Sequence, residues 1–315
     1  MMDRLVICVP TYRRNLELSE LLVELQRQTI PPESEVETRI LVIDNNPAGE
    51  AEAVVSAAHG PIRIDYIHES QPGVVHVRNR ALTACAMDRF LVFIDDDELP
   101  DADWLVNLWL RRVQSRAAVV FGTVEARYEG AVPGWMAEGD FHSKHVFEDG
   151  PRTTPGATDN CLIDLHVVRT HNLRFDPGLS LIGGEDTLFF DALLLAGENF
   201  ADAARARTFE RIPENRATLD WLRRRWRRTG LTDAMMIARR RGGGPLNGAR
   251  AFVDGALRVA VGCGLCMFAW LAGGGSMSAE LGRRLYTVER GLGMLDFVFG
   301  REVREYARPQ TPAKA

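Results

Sequence analysis

Along the first hundred residues, short apolar runs rich in β-branched side chains alternate with stretches whose apolar positions recur every three to four residues. The runs are 4–12 (RLVICVPTY), 38–47 (TRILVIDNNP), 62–69 (IRIDYIHE) and 89–95 (RFLVFID). Between them lie 15–30, 48–59 and 73–86, each helix-like; Leu18, Leu21, Leu22 and Leu25 share one face, and Pro31-Pro32 stops that helix. Parallel strands need crossover connections, so this alternation predicts an α/β chain built on a parallel sheet. Ligands of such sheets bind beyond the carboxyl ends of the strands. Pro10-Thr11-Tyr12, Asp44-Asn45-Asn46 and Asp95-Asp96-Asp97 stand at those ends, and they are expected to converge on one site.

The fourth run closes on four consecutive acids, Asp95 to Glu98. Adjacent carboxylates repel, and burying them is costly unless a cation answers them. A solvated turn near Pro100 is one reading. The other is a hard divalent cation, Mg²⁺ or Mn²⁺, which takes one or two carboxylates together with phosphate oxygens. On an extended chain Asp95 and Asp97 face the same side, so one can meet the metal while the other meets a sugar or ribose hydroxyl.

Further along, 117–130 reads as a strand, 132–156 as a long loop, and 157–179 as a strand pair or a strand and short helix. Residues 183–197 (GGEDTLFFDALLLAG) have an acidic helix start and a glycine stop, and 218–230 (TLDWLRRRWRRTG) is a short basic helix ended by Gly230. Residues 259–279 carry no charge and reach the length of a membrane span. Leu281, Leu285, Val288, Leu292, Leu295 and Phe299 follow as a helical stripe, so the tail is expected to form a helix hairpin turning at Gly273-Gly274-Gly275. It spans the membrane, lies in the interface, or forms a homodimer contact; all three readings stay open.

The 38 basic and 43 acidic residues give a net charge of −5, which with the lack of interleaved stacking motifs argues against nucleic acid as a partner. Arginines nonetheless cluster between 205 and 250. Five cysteines, odd in number and mostly in apolar surroundings, argue against disulfides and for a reducing compartment. Cys263-x-x-Cys266 lacks the second pair of a zinc site, and the apolar stretch at the start reads as a cytosolic first strand. His142 and His145 have a spacing a metal could use but read as loop residues.

Five blocks in order, VPTYRR, VIDNN, QPGVVHVRNRAL, VFIDDDELPDADWL and GGEDTLFF, resemble glycosyltransferase family 2 over residues 4 to 230. The resemblance implies a GT-A fold and transfer, with inversion, from a nucleotide diphosphate sugar. It implies that Pro10, Thr11 and Tyr12 line base and ribose, that Asp44 accepts from the base (a lean towards a UDP-sugar), and that Arg78 lies near the phosphates. Asp95 and Asp96 would address ribose and donor sugar, with Asp97 the protein ligand to Mn²⁺ or Mg²⁺ and Asp95 beside it. Asp186 would be the general base, with Glu185 turned to the acceptor. Trp135 either covers the acceptor sugar or anchors its loop. Arg225-Trp226 matches the Arg-Trp of a Gln-x-x-Arg-Trp block that contacts diphosphate and acceptor in processive relatives, but Leu222 stands where the glutamine would be, which argues against processive synthesis.

The expected layout is a transferase domain over 1–230, an Arg/Gly-rich linker over 231–248, a membrane-associated hairpin over 249–306 and a disordered tail over 307–315. A lipid-linked saccharide acceptor at the cytoplasmic face of the inner membrane, in bacterial exopolysaccharide synthesis, would tie hairpin and arginines together. The rival readings are a sugar-nucleotide nucleotidyltransferase, for which no lysine-bearing phosphate loop is visible, and an inactive membrane-docked scaffold.

Overall fold

The structure is a computed structural model that describes residues 3–32, 36–180, 183–240 and 245–301. It divides into two compact units, Met1–Phe175 with Asp186–Trp221, and Asp176–Glu185 with Leu222–Ala315. The expected tail at 307–315 lies outside the described residues.

The alternation predicted for the first hundred residues is present. Strands β1 (Asp3–Thr11), β2 (Val36–Asp44), β3 (Ile64–His68) and β4 (Phe90–Ile94) are separated by helices α1 (Asn15–Gln26), α2 (Ala51–Ala57) and α3 (Val74–Ala84). They pair in parallel in the order β3-β2-β1-β4, and the register sets Thr11 beside Asp44 at the carboxyl edge. Successive side chains of β1 serve opposite layers. Leu5, Ile7 and Val9 pack with Leu18, Leu21, Leu22 and Leu25 of α1, while Val6 and Cys8 pack with Val75, Val77 and Ala81 of α3. At about 25 cal/mol per Å² of apolar surface, burial on both faces supplies the main driving force for this layer structure.

After β4 the chain forms β5 (Glu98–Pro100), α4 (Trp104–Ser115), β6 (Val119–Tyr128), α5 (Gly134–Gly139), β7 (Gly150–Arg152), β8 (Asn160–Asp164), α6 (Leu165–Thr170), α7 (Glu185–Leu195) and β9 (Phe200–Ile212). Strand β8 runs antiparallel between β4 and β6, β9 lies parallel to β6, and β5 and β7 attach antiparallel to β9. The span expected as one long loop, 132–156, thus contains α5 and β7. Gly122 sits where the β6–β9 register shifts, and a Cβ there would stand 2.2 Å from the Ala206 carbonyl oxygen. Only glycine allows that approach.

In the second unit, helix α8 (Leu219–Arg239) runs through Gly230 instead of ending there, so the expected linker 231–248 is helical to Arg239. Helices α9 (Pro245–Ala272) and α10 (Ala279–Val298) form the expected hairpin, with left-handed glycines at 274 and 275 and the Ser278 hydroxyl accepting the Leu281 N–H at 3.2 Å. Its packing differs from the expected leucine stripe. Leu285, Val288, Leu292 and Leu295 are half-buried and Phe299 is exposed, whereas Glu289, Gly291, Gly293, Met294 and Asp296 are buried. Small residues bring the helices together: a Cβ on Gly291 would stand 2.7 Å from the Gly255 carbonyl oxygen, and one on Gly262 2.7 Å from Val288. The buried acids answer α8 arginines. Arg223 donates to Glu289 at 2.6 Å, Arg227 to Asp296 at 2.9 Å, and Arg290 of α10 donates back to Asp233 at 2.8 Å. Arginines clustered in sequence are therefore matched by acids distant in sequence.

Candidate active site

The acids do not lie on an extended chain. Asp95 to Glu98 form a turn closed by the Glu98 N–H donating to the Asp95 carbonyl at 3.2 Å, so strand alternation does not set where their carboxylates point. Asp96 points back into the sheet edge, accepting from the Thr11 hydroxyl at 2.8 Å, the Tyr12 N–H at 3.4 Å and the Arg14 guanidinium at 2.6 Å. Arg14 also reaches Asp97 at 2.8 Å, and Arg216 lies 3.4 Å from Asp97 and 3.2 Å from Glu210. Neither arginine had been assigned a role. Arg14 stands inside the VPTYRR block, and Arg216 follows β9, a strand the sequence reading did not identify.

Two guanidiniums do not balance this turn. Glu98 is 1% exposed, lies opposite Glu210 in the β5–β9 ladder, and neither of its carboxylate oxygens has a hydrogen-bond partner. Burial raises its carboxyl well above the ordinary range, and Asp95 and Glu210 push it further. Asp95 keeps part of its surface open, yet desolvation and then repulsion from Asp97 push its carboxyl up to about 6 against the pull of Arg78 and Lys144. Asp96 is also raised, by burial that outweighs Arg14. Burial opposes the charge on Arg14, but Asp96 and Asp97 more than offset it and hold the guanidinium protonated.

A stability prediction follows from Asp95. Its carboxyl titrates higher folded than unfolded, so between about pH 4 and 6 the folded chain holds more protons, and stability from this group falls as pH rises through that window. We expect the melting temperature without added metal to rise on going from pH 7.5 to 5. Asp95→Asn should flatten part of that rise; an unchanged pH slope would contradict the assignment.

The other expected site residues divide. Asp44 is fully buried and engaged: Oδ1 accepts from Asn46 N–H at 2.7 Å, and Oδ2 from Ala51 N–H at 3.1 Å and the Tyr66 hydroxyl at 3.2 Å. These bonds shape the turn into α2. Asn45 ties the same loop to Glu69, Gln71 and Gly73. Arg78 is buried on α3 with its guanidinium 5.8 Å from the Phe175 ring. Pro10 and Tyr12 are half-buried at the end of β1. Asp186 stands in the first turn of α7, where Oδ1 accepts the Thr187 N–H at 2.7 Å. The buried thiol of Cys161 is raised by desolvation, eased by the Phe93 backbone and Arg78, and raised further by both Asp186 and Asp95. Arg78, Asp95 and Asp186 thus act on one point in the first unit. Trp135 is half-buried against Phe141, at 5.6 Å.

His142 is buried between the Tyr128 hydroxyl and the Arg216 carbonyl, and His145 pairs with Asp140, so the two do not converge. In the second unit Glu185 is buried, Arg225 half-buried, and Trp226 is 3% exposed, edge-on to Tyr286 at 5.7 Å.

Among the described residues, no three His, Cys, Asp or Glu side chains converge as a metal cage. The acidic turn still suits a hard cation that takes one or two carboxylates and completes its shell with diphosphate oxygens. Its carboxyl groups outnumber their arginine partners, and both oxygens of the buried Glu98 carboxyl lack a hydrogen-bond partner.

The sequence profile described as Glycosyl transferase family 2 matches residues 6–171. The succinoglycan biosynthesis protein ExoM of Rhizobium meliloti (strain 1021) is 37% identical over 235 residues, 74% of each chain. The structure of S. aureus TarS 1-349 in complex with UDP superposes with a TM-score of 0.55 at 15% identity, over 95% of this chain and 92% of that one. Its complex with UDP-GlcNAc gives 0.52 at 16% identity, over 95% and 93%. In another structure of TarS 1-349, the match covers 75% of this chain and only 66% of that one, with a TM-score of 0.53 at 18% identity. These likenesses show the GT-A fold. With the profile match and the relationship to ExoM, they establish that this chain belongs to glycosyl transferase family 2 and is a glycosyltransferase.

Proposed function

We propose that the chain moves a hexosyl group, with inversion, from a UDP-sugar to a hydroxyl of a lipid-linked saccharide during exopolysaccharide assembly at the cytoplasmic membrane surface. The observation that carries this reading is the acidic turn at the end of β4, held by Thr11 and Arg14 from β1 and its following loop and left with more carboxyl groups than arginines to answer them. The similarity to ExoM supports the pathway, and the TarS complexes support a uridine nucleotide.

In this reading Pro10 and Tyr12 line the base and ribose, and Asp44 acts through the turn it fixes. Asp97, with Asp95, holds Mn²⁺ or Mg²⁺, which when bound offsets the charge of the leaving diphosphate. Arg14 orients Asp96 and Asp97, and Arg78 adds positive charge on the nucleotide side. Asp186 takes the proton of the acceptor hydroxyl as its oxygen bonds to the anomeric carbon. The bond from that carbon to the diphosphate oxygen breaks, and UDP leaves with the electron pair. One carboxylate suffices, because a single displacement forms no glycosyl-enzyme. Glu185, beside Asp186 in the chain, together with Trp135 and Arg225, is assigned to the acceptor.

The membrane assignment rests on α9. The most apolar 18-residue stretch within Asn247–Ala272 has a mean hydropathy of 1.7, and only 17% of it is buried. Leu257, Phe268 and Leu271 are more than half exposed. That face fits a lipid surface. The test is transfer of label from UDP-[¹⁴C]hexoses, with Mn²⁺, to a bacterial polyprenyl-saccharide fraction. Label entering that fraction supports the reading; label remaining in nucleotide or free sugar for every donor contradicts it.

A further inference from the structure

Beside the acidic turn lies a cavity of about 210 Å³ in the first unit, lined in part by Lys144, His145, Arg152, Asp159 and Asn160. None of these was assigned a role above. The antiparallel pairing of β4 with β8 ends at Ile94 opposite Asn160, so the next residues on the two chains are Asp95 and Asp159. Lys144 is fixed from the other side: its N–H donates to the Val124 carbonyl at 2.7 Å and its carbonyl accepts the Val124 N–H at 3.1 Å. Its ammonium pairs with Asp159 across the cavity wall. It also lies near enough to Asp95 and Glu98 to oppose the upward shift of both carboxyls.

Size and chemistry narrow the occupant. Whole drug-sized ligands occupy roughly 300–1,000 Å³, so this space takes one sugar ring and not a complete nucleotide sugar. Asn160 cannot read that ring. Its amide nitrogen is committed to the Thr123 and Ala206 carbonyls, both at 2.9 Å, and its oxygen to the Trp104 indole at 2.8 Å. Asp159 is equally closed, since Oδ1 accepts the Asn160 N–H at 3.1 Å and the buried Oδ2 faces the Lys144 ammonium. Recognition therefore falls to Lys144, whose ammonium carries three N–H donors and is held in place by Asp159. Each basic side chain is paired: Lys144 with Asp159, His145 with Asp140, and Arg152 with Asp202 at 2.8 Å. A balanced wall favours a neutral ring over a uronate.

Resting on the UDP-sugar reading above, we propose that this cavity is the subsite for the transferred sugar, and that Lys144, positioned and neutralised by Asp159, selects a neutral hexose by donating to a ring hydroxyl.

The test uses the full chain with Mn²⁺ and follows binding of UDP alone and turnover of UDP-glucose, UDP-galactose and UDP-glucuronate. Lys144→Met should leave UDP affinity within about twofold and lower kcat/KM for the preferred neutral hexose by on the order of 10- to 100-fold, the value of charged hydrogen bonds to a hydroxyl. Asp159→Asn keeps shape but frees the ammonium from its counter-charge. It should raise the preference for UDP-glucuronate over the neutral donors by at least about tenfold. If both variants keep wild-type donor preference and rate, the subsite is overturned while the UDP-sugar reading stands. If Lys144→Met loses UDP together with the sugar, Lys144 belongs to the diphosphate and the proposal fails. Wild-type protein that binds no UDP overturns the underlying reading instead.

Discussion

Asp186→Asn is expected to lower hexosyl transfer by about 10²- to 10⁴-fold, the usual contribution of a general base, while UDP affinity stays within about twofold. The substitution is chosen to remove basicity and little else. Asp186 Oδ1 accepts the N–H of Thr187 at the first turn of α7, and an asparagine carbonyl keeps that bond. Loss of the helix start is therefore not an alternative cause of a rate defect. The Asp97→Ala variant should show the opposite split, losing metal-dependent donor binding first. If Asp186→Asn and the wild type transfer at equal rates, the base lies elsewhere and the assignment of α7 to the acceptor side fails with it.

A second large effect is structural and belongs to the helical unit. Gly293→Ala should destabilise that unit at or beyond the upper end of the roughly 1–3 kcal/mol typical of overpacking. The added Cβ would stand 1.8 Å from the Arg227 carbonyl oxygen and 2.9 Å from the Leu231 nitrogen, both backbone atoms that cannot rotate away. On the facing helix, a Cβ at Gly230 would meet the Arg290 carbonyl oxygen at 1.9 Å. Forcing α8 and α10 apart also stretches the Arg223–Glu289 and Arg227–Asp296 pairs, whose acids are buried. Gly264 is the matched control. It lies exposed on α9 with nothing within 4 Å of an added Cβ, and alanine there should be neutral or stabilising by up to about 1 kcal/mol. Denaturant unfolding and limited proteolysis of both variants check this. Equal stability for Gly293→Ala and Gly264→Ala would show that the helices are not so closely apposed.

The parallel half of the sheet was legible because its strands are continuous apolar runs and its helices keep one apolar face, as with Leu18, Leu21, Leu22 and Leu25. The acidic turn was legible because four adjacent carboxylates need an explanation. Strand β9 was not recognised. Its buried positions include Ala201, Ala203 and Ala206, and arginines interrupt it at 205, 207 and 211, so it lacks the β-branched signature while keeping a two-residue alternation of burial. With β9 unread, Glu210 and Arg216 had no place in the site. The stripe on α10 misled for a related reason: close packing of this unit runs through glycine, and an apolar moment does not register a residue without a side chain. Asp44 illustrates a third limit. Its position at the end of β2 was read correctly, but its three internal hydrogen bonds depend on Tyr66 and the turn into α2, which no local pattern encodes.

The most direct test of the account is calorimetric titration of the full chain with UDP, with and without Mn²⁺, on wild type and Asp97→Ala. The account predicts UDP binding that strengthens with the metal in the wild type and loses that metal dependence in the variant. Folded wild-type protein that binds no UDP under either condition, or an Asp97→Ala variant whose metal-dependent binding matches the wild type, would contradict it.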